Sequence, residues 1–143
     1  MEIKELWKLP VSSEESISKL QFIKASCSPL LEEGIWKLYT IQILFDYYKE
    51  KKEYHNKMLF DAHQVYKFTS EQFAKPLTGS LNTLVECTNS EWLNKLIKIN
   101  PEVALSDFWR IRHFAIFFNG YGLYEIFAHD YKILETKEGP LRE

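Results

Sequence analysis

The sequence predicts an α+β fold, a mostly helical N-terminal two-thirds packed on a C-terminal antiparallel β-hairpin. Three observations predict it. Apolar residues between Leu31 and Tyr48 recur at steps of three and four behind a Ser-Pro helix start. Asn89-Ser90-Glu91-Trp92 opens a second clear helix. Two runs of β-formers then flank the turn signal Asn119-Gly120-Tyr121-Gly122.

Residues 1–10 carry Ile3, Leu6, Trp7 and Leu9 before Pro10, and this segment is the candidate for an extra strand completing a small sheet. Ser12 with Glu15 fits a capping box, so a helix is expected over 13–26, with Ile17 and Leu20 on its inner face. Ser28-Pro29 starts the central helix, expected over 29–50. Glu32 and Glu33 in its first turn suit the positive end of the helix dipole. Leu31, Ile35, Leu38, Ile41, Phe45 and Tyr48 form one continuous face, flanked by Tyr39, Ile43 and Tyr47. Residues 36–48 also carry a rival strand pattern, because Tyr39-Thr40-Ile41-Gln42-Ile43 alternates and is rich in β-formers. The start signal and the length favour the helix.

Lys49 to Glu53 is a mixed charge run, read as a solvated helix end or loop. A helix over 56–68 follows, with Met58, Leu59, Ala62, Val65 and Tyr66. Residues 69–72 open a short turn that must end near Pro76, and 81–87 read as a short helix. The helix over 90–99 presents Trp92, Leu93, Leu96, Ile97 and Ile99 and stops at Asn100-Pro101. A single turn is expected within 101–109. The hairpin spans 112–128; Tyr131 to Leu134 either prolong its second strand or form a third, and Glu138-Gly139-Pro140 are expected to fray.

At 143 residues this reads as one domain, 1–143. Aromatic residues make up 15% and the formal net charge is −2, which excludes a chain disordered throughout. A dedicated nucleic-acid binder needs a basic excess to displace counterions, and none is present. Cys27 and Cys87 are too few and too far apart for a disulfide framework or zinc knuckle. The charged start lacks a signal peptide's apolar core, and no 18-residue apolar run exists. The expected compartment is the cytoplasm, with no membrane partner.

The search for chemistry yields little. Asn119 to Gly122 joins two strands, whereas a phosphate loop leads into a helix N-terminus. His55, His63, His113 and His129 lack metal-ligand spacing, so neither metal nor cofactor is expected. His129-Asp130 matches the dipeptide of metal phosphohydrolases without the further ligands. Asp130 with Glu135-Thr136-Lys137 resembles a restriction-type nuclease motif, in which a strand-borne Glu and Lys face one metal. Its short spacing and the missing basic groove count against it. No catalytic residue is assigned.

The remaining signal is binding. Arg110, Arg112 and His113 form a compact cationic cluster behind Phe108 and Trp109. Phe114, Ile116 and Phe118 share one face of the first strand, and Tyr124 and Ile126 one face of the second. Both hairpin faces are substantially apolar, so both must be covered, or one must meet a partner. Trp, Tyr and Arg anchor interfaces, which singles out Trp109, Arg110, Arg112, Tyr121 and Tyr124 as partner-binding residues. The expected function is a small, non-enzymatic cytoplasmic protein that binds another protein, such as an immunity protein or accessory neutraliser. The alternatives are a metal-dependent nuclease or hydrolase using Asp130, Glu135 and Lys137, and a small-molecule sensor with a pocket between central helix and hairpin.

Overall fold

The computed structural model describes residues 1–10, 17–24, 29–32, 35–38, 41–77, 81–105, 110–134 and 136–140. Antiparallel strands dominate it. In chain order they are β1 (Glu2–Lys8), β2 (Ile17–Lys24), β3 (Pro29–Glu32), β4 (Ile35–Leu38), β5 (Ile41–Lys49), β6 (Lys52–Ser70) and β7 (Thr83–Thr88). Helices α1 (Glu91–Ile99) and α2 (Pro101–Ala104) come next, followed by β8 (Arg112–Phe118), β9 (Gly122–Ile133) and β10 (Lys137–Glu138). The main sheet runs β1-β7-β8-β9-β6-β5-β2, with β10 on β6, while β3 and β4 pair only with each other.

The expected helical N-terminal two-thirds is therefore wrong. Residues 17–24 of the first expected helix are β2, and the rest of that expectation lies mostly outside the described residues. The central helix is replaced by β3, β4 and β5. The helix over 56–68 lies within β6, and the one over 81–87 is β7. The reason is visible in β5. Ile41, Ile43, Phe45 and Tyr47 are all buried and share one face at a period of two. Ile41 and Phe45 also belong to the series 31, 35, 38, 41, 45 and 48 at steps of three and four, with Ile43 and Tyr47 on its flank, so periodicity along the chain could not separate helix from strand. Cross-strand partners decide it: β5 pairs with β2 on one side (Leu20↔Phe45) and β6 on the other (Ile43↔Met58).

The turn between β5 and β6 explains why this hairpin escaped notice. Lys49 pairs with Lys52 across a two-residue loop, and both loop residues have positive φ, Glu50 at 53° and Lys51 at 69°. Such turns normally announce themselves with Asn-Gly or Asp-Gly. Here the charge run fills positions that disfavour side chains with a Cβ.

Local signals elsewhere succeeded. α1 begins at Ser90, whose side chain accepts the Leu93 N–H, and ends at Asn100 before Pro101. β8 and β9 form the expected hairpin, from Arg112↔Ala128 to Phe118↔Gly122. Of the two alternatives for Tyr131 to Leu134, the structure has the prolonged strand, since β9 continues to Ile133. The N-terminal strand exists as β1, paired with β7. The expected fraying is corrected at Glu138 and Gly139: Glu138 pairs with Tyr54, and the Gly139 N–H donates to Glu53 O at 2.7 Å.

The sheet curls strongly. β1 and β5 are five steps apart in strand order, about 24 Å in a flat sheet at roughly 4.8 Å per step. Yet the Trp7 and Phe45 ring centroids are 6.4 Å apart. Phe45 meets Phe118 of β8 at 5.2 Å, and Phe22 of β2 meets Tyr124 of β9 at 5.5 Å. Bulges contribute to the bend. One lies between Glu5 and Trp7, and two interrupt β6 against β9 around Ala62. The concave side is filled by Phe45, Met58, Phe60, Phe114, Phe118 and their neighbours.

The convex side of the hairpin is also covered within the chain. Leu93, Leu96 and Ile97 of α1 and Ala104 of α2 pack over Ile111 and Phe127. Ala74, Leu77 and Leu81 pack over Val85, Ala115, Phe117 and Leu123. Gly122 permits the close approach of β9 to the end of β6. Its φ is +148°, and a Cβ there would lie 2.3 Å from the Thr69 carbonyl oxygen.

Two stability outcomes follow from this packing. Phe45 is fully buried, so Phe45→Ala should cost about 3–5 kcal/mol in urea denaturation. A loss below about 1 kcal/mol would mean the curled core is misassigned. Replacing Glu50→Asn together with Lys51→Gly should raise stability, on the order of 1 kcal/mol, by relieving two left-handed residues. An unchanged or lower denaturation midpoint would show that the turn is not of this type.

Candidate functional site

The five residues expected to bind a partner do not form one surface. Tyr124 is 8% exposed and belongs to the core, where its ring meets Phe22, Phe68 and Phe118. Burial raises its hydroxyl pKa above the ordinary tyrosine value, and Tyr121 adds to the effect. Tyr121 is half-buried against the same core, and its carbonyl accepts the Glu71 N–H at 3.1 Å. Arg112 holds strands together. Its Nε and Nη2 donate to the two Glu86 carboxylate oxygens at 3.0 and 2.7 Å, and Nη1 reaches Asp130 Oδ1 at 3.4 Å. The Glu86 hydrogen bonds hold its guanidinium pKa above the ordinary arginine value, against the opposing effect of burial. Among the described members of the set, Arg110 is the exposed one, and it bridges Leu105. Trp109 lies outside the described residues.

The nuclease-like group is separated along β6. Asp130 sits opposite Asp61, whereas Lys137 sits opposite His55, six positions away. At about 3.4 Å per residue that is roughly 20 Å. Asp130 is engaged by Arg112, and Glu135 lies outside the described residues. Among the described residues, no group of three or more His, Cys, Asp or Glu is placed to hold a metal ion. The sensor pocket loses one wall, since β5 stands where the central helix was expected and packs directly on the hairpin.

The structure brings together a group that sequence reasoning missed. His113 on β8 faces the convex side, 3% exposed, beneath α1. Its Nδ1 lies 2.7 Å from Ser90 Oγ, and its Nε2 lies 3.0 Å from Glu125 Oε1 on β9. The Phe127 ring stacks on the imidazole, with centroids 4.4 Å apart. Trp92 stacks on the Phe127 ring, with centroids 5.7 Å apart, and carries Lys67 Nζ over its own ring at 5.0 Å. Ser90, His113 and Glu125 line an open cleft of about 270 Å³ with Met1, Trp92 and Lys95.

For a neutral imidazole the two partners assign the tautomer. An ionised Glu125 carboxylate only accepts, so Nε2 carries the hydrogen. Nδ1 is then the lone pair, and Ser90 Oγ–H donates to it. Ser90 Oγ also accepts the Leu93 N–H at 3.1 Å as the cap of α1. Part of this was visible in sequence. His113 and Glu125 are polar residues on one face of an otherwise apolar hairpin, and Ser90 is a helix cap. Nothing local showed that α1 docks on that face.

Cys87 pairs with His113 across β7 and β8 but is fully buried. Burial first, then the charges of Glu125 and Glu86, push its thiol up to about 11. It therefore packs as a neutral apolar group. Cys27 lies outside the described residues. No family model matches this chain, and neither curated proteins nor solved structures match it.

The Cys87 shift has a measurable consequence. Its pKa rises from an ordinary 9.0 to about 11 on folding, so the folded state holds the proton more tightly between those values. Stability linked to the thiol is complete below pH 9 and is lost as pH rises through 11. The loss should be on the order of 2–3 kcal/mol. Denaturation of wild type and Cys87→Ala across this range should show the difference between them changing by that amount. A pH-independent difference would place the thiol in water.

Proposed function

We propose that this protein acts by binding another protein, as a neutraliser of the immunity-protein type or an accessory factor. The observation that supports it is an apolar patch at the α1–α2 end. Ile99 is 79% exposed, and Val103 and Leu105 lie exposed within six residues of it. Arg110, the one exposed residue among the described members of the expected partner-binding set, bridges Leu105 and so stands beside these side chains. Exposed apolar side chains grouped together mark contact surfaces, and arginine is enriched at interfaces. α1 turns its other apolar residues, Leu93, Leu96 and Ile97, onto the sheet, so the exposed ones do not serve the core.

The reading places the interface on the approach to the hairpin and not on the hairpin's aromatic face. With a net charge of −2, long-range steering is weak, and affinity would come from buried contact. No described helix is long and apolar enough to cross a membrane. A buried free thiol at Cys87 is compatible with a reducing cytoplasm.

The test is capture of a partner by the tagged full-length protein, followed by affinity measurement on Ile99→Asp and Arg110→Glu. One stoichiometric partner, bound at least about tenfold more weakly by each variant (roughly 1.4 kcal/mol), is the expected result. A partner whose affinity neither variant changes would place the interface elsewhere. No stoichiometric partner at all would overturn the binding reading.

A further inference from the structure

We propose that Ser90, His113 and Glu125 form an acyl-transfer site that takes small acyl esters, with Ser90 Oγ as the nucleophile. The arrangement has the order this chemistry requires. A hydroxyl lies 2.7 Å from one imidazole nitrogen, and a carboxylate lies 3.0 Å from the other. A nucleophile, a base and a group orienting the base are recognised by geometry and role, on any fold. The ring nitrogens are exchanged relative to the serine-protease arrangement, since Nδ1 faces the serine here. Either nitrogen of a neutral imidazole can act as base when the other carries the hydrogen.

Three features bear on Ser90 beyond hydrogen bonding to His113. It caps the nine-residue helix α1, so the positive end of the helix dipole favours an alkoxide at Oγ. The Leu93 N–H already points at Oγ from 3.1 Å. Glu91 and Trp92 are the first two helical residues, and their N–H groups have no carbonyl partner within the helix. They stand at the same helix end as Oγ, where an oxyanion would form. The imidazole is held in place by Phe127 stacking and by Glu125, which stabilises the imidazolium once it forms.

The step balances without a metal or cofactor. Ser90 Oγ attacks the acyl carbon while His113 Nδ1 takes its proton. The tetrahedral intermediate collapses, the ester C–O bond breaks, and Nδ1 returns the proton to the departing alkoxide. Alcohol leaves, and the acyl group remains on Oγ. Water then attacks with His113 as base, which releases the carboxylic acid and restores Ser90. The rival nucleophile, Cys87, is a protonated thiol at neutral pH and does not line this cleft. The cleft volume of about 270 Å³ lies near the lower end of ligand pockets and suits a short acyl chain. Met1 and Trp92 supply apolar wall.

This site is separate from the residues tested for partner binding, so the two readings can fail independently. The experiment treats the purified full-length protein with a fluorophosphonate probe and with p-nitrophenyl acetate and butyrate. Intact mass and peptide mapping should give one adduct, on Ser90, and p-nitrophenol should be released with turnover. Ser90→Asn keeps a good helix cap while removing the nucleophile. It should abolish labelling and lower turnover at least about 100-fold, and His113→Ala should do the same. Glu125→Gln should retain slower labelling of Ser90, since it disturbs orientation and charge but leaves the hydroxyl. Absence of an adduct on Ser90 in the folded wild-type protein would overturn the proposal. Ester hydrolysis that persists in Ser90→Asn would overturn it equally.

Discussion

Phe45 on β5 touches Phe118 on β8, three strand positions away, and the remaining architecture depends on that contact. A flat sheet of this order would hold those strands roughly 14 Å apart. Large aromatic side chains reward the curl because each removes a wide apolar area from water when strands close over it. The bulges around Ala62 in β6 supply bend at the middle of the sheet. β1 and β2, the ends of the strand order, are brought over the concave face as Trp7 and Phe22 enter the core.

Curling divides the hairpin's two apolar faces between two kinds of cover. The concave face receives other strands of the same sheet. The convex face is closed by α1, α2 and the 74–81 segment. Where α1 crosses that face, polar groups need partners, because an unpaired buried donor or acceptor is costly. Ser90, His113 and Glu125 satisfy one another there while also lining a cleft. The same packing that leaves α1 no choice of inner face leaves Ile99 and Val103 outside. The docking of one short helix thus sets both surfaces to which we assign function.

Polar residues also tie sequence-distant segments together. Asn82 has a left-handed backbone, φ 55°, and joins three segments. Its N–H donates to Phe117 O, its carbonyl accepts from Leu9, and its Oδ1 accepts the Asn119 N–H. Asn56 on β6 donates to Leu134 O and Thr136 Oγ1, fixing the connection from β9 to β10. Arg112 joins β7, β8 and β9 through Glu86 and Asp130. Of these residues Arg112 was the one expected to bind a partner, and its guanidinium is bonded internally.

The sequence by itself determined the elements whose signals are local. The β8–β9 hairpin rests on β-former runs around Gly120, the start of α1 on the Ser90 hydroxyl, and its end on Asn100-Pro101. Tertiary structure decided β2, β5 and β6. Ile41 and Phe45 extend a helical stripe that begins at Leu31, yet with Ile43 and Tyr47 they also form one strand face, and their β2 and β6 partners fix the outcome. The Glu50-Lys51 turn lacks the glycine that would have revealed its hairpin. Met58 pairs with Ile133 and Ala62 with Ala128, across more than sixty residues that no local pattern encodes. The Ser90–His113–Glu125 group belongs to the same class. Each residue was legible in its own element, but its neighbours exist only once α1 lies across the hairpin, because hydrogen bonding acts over ångströms of space and not along the chain.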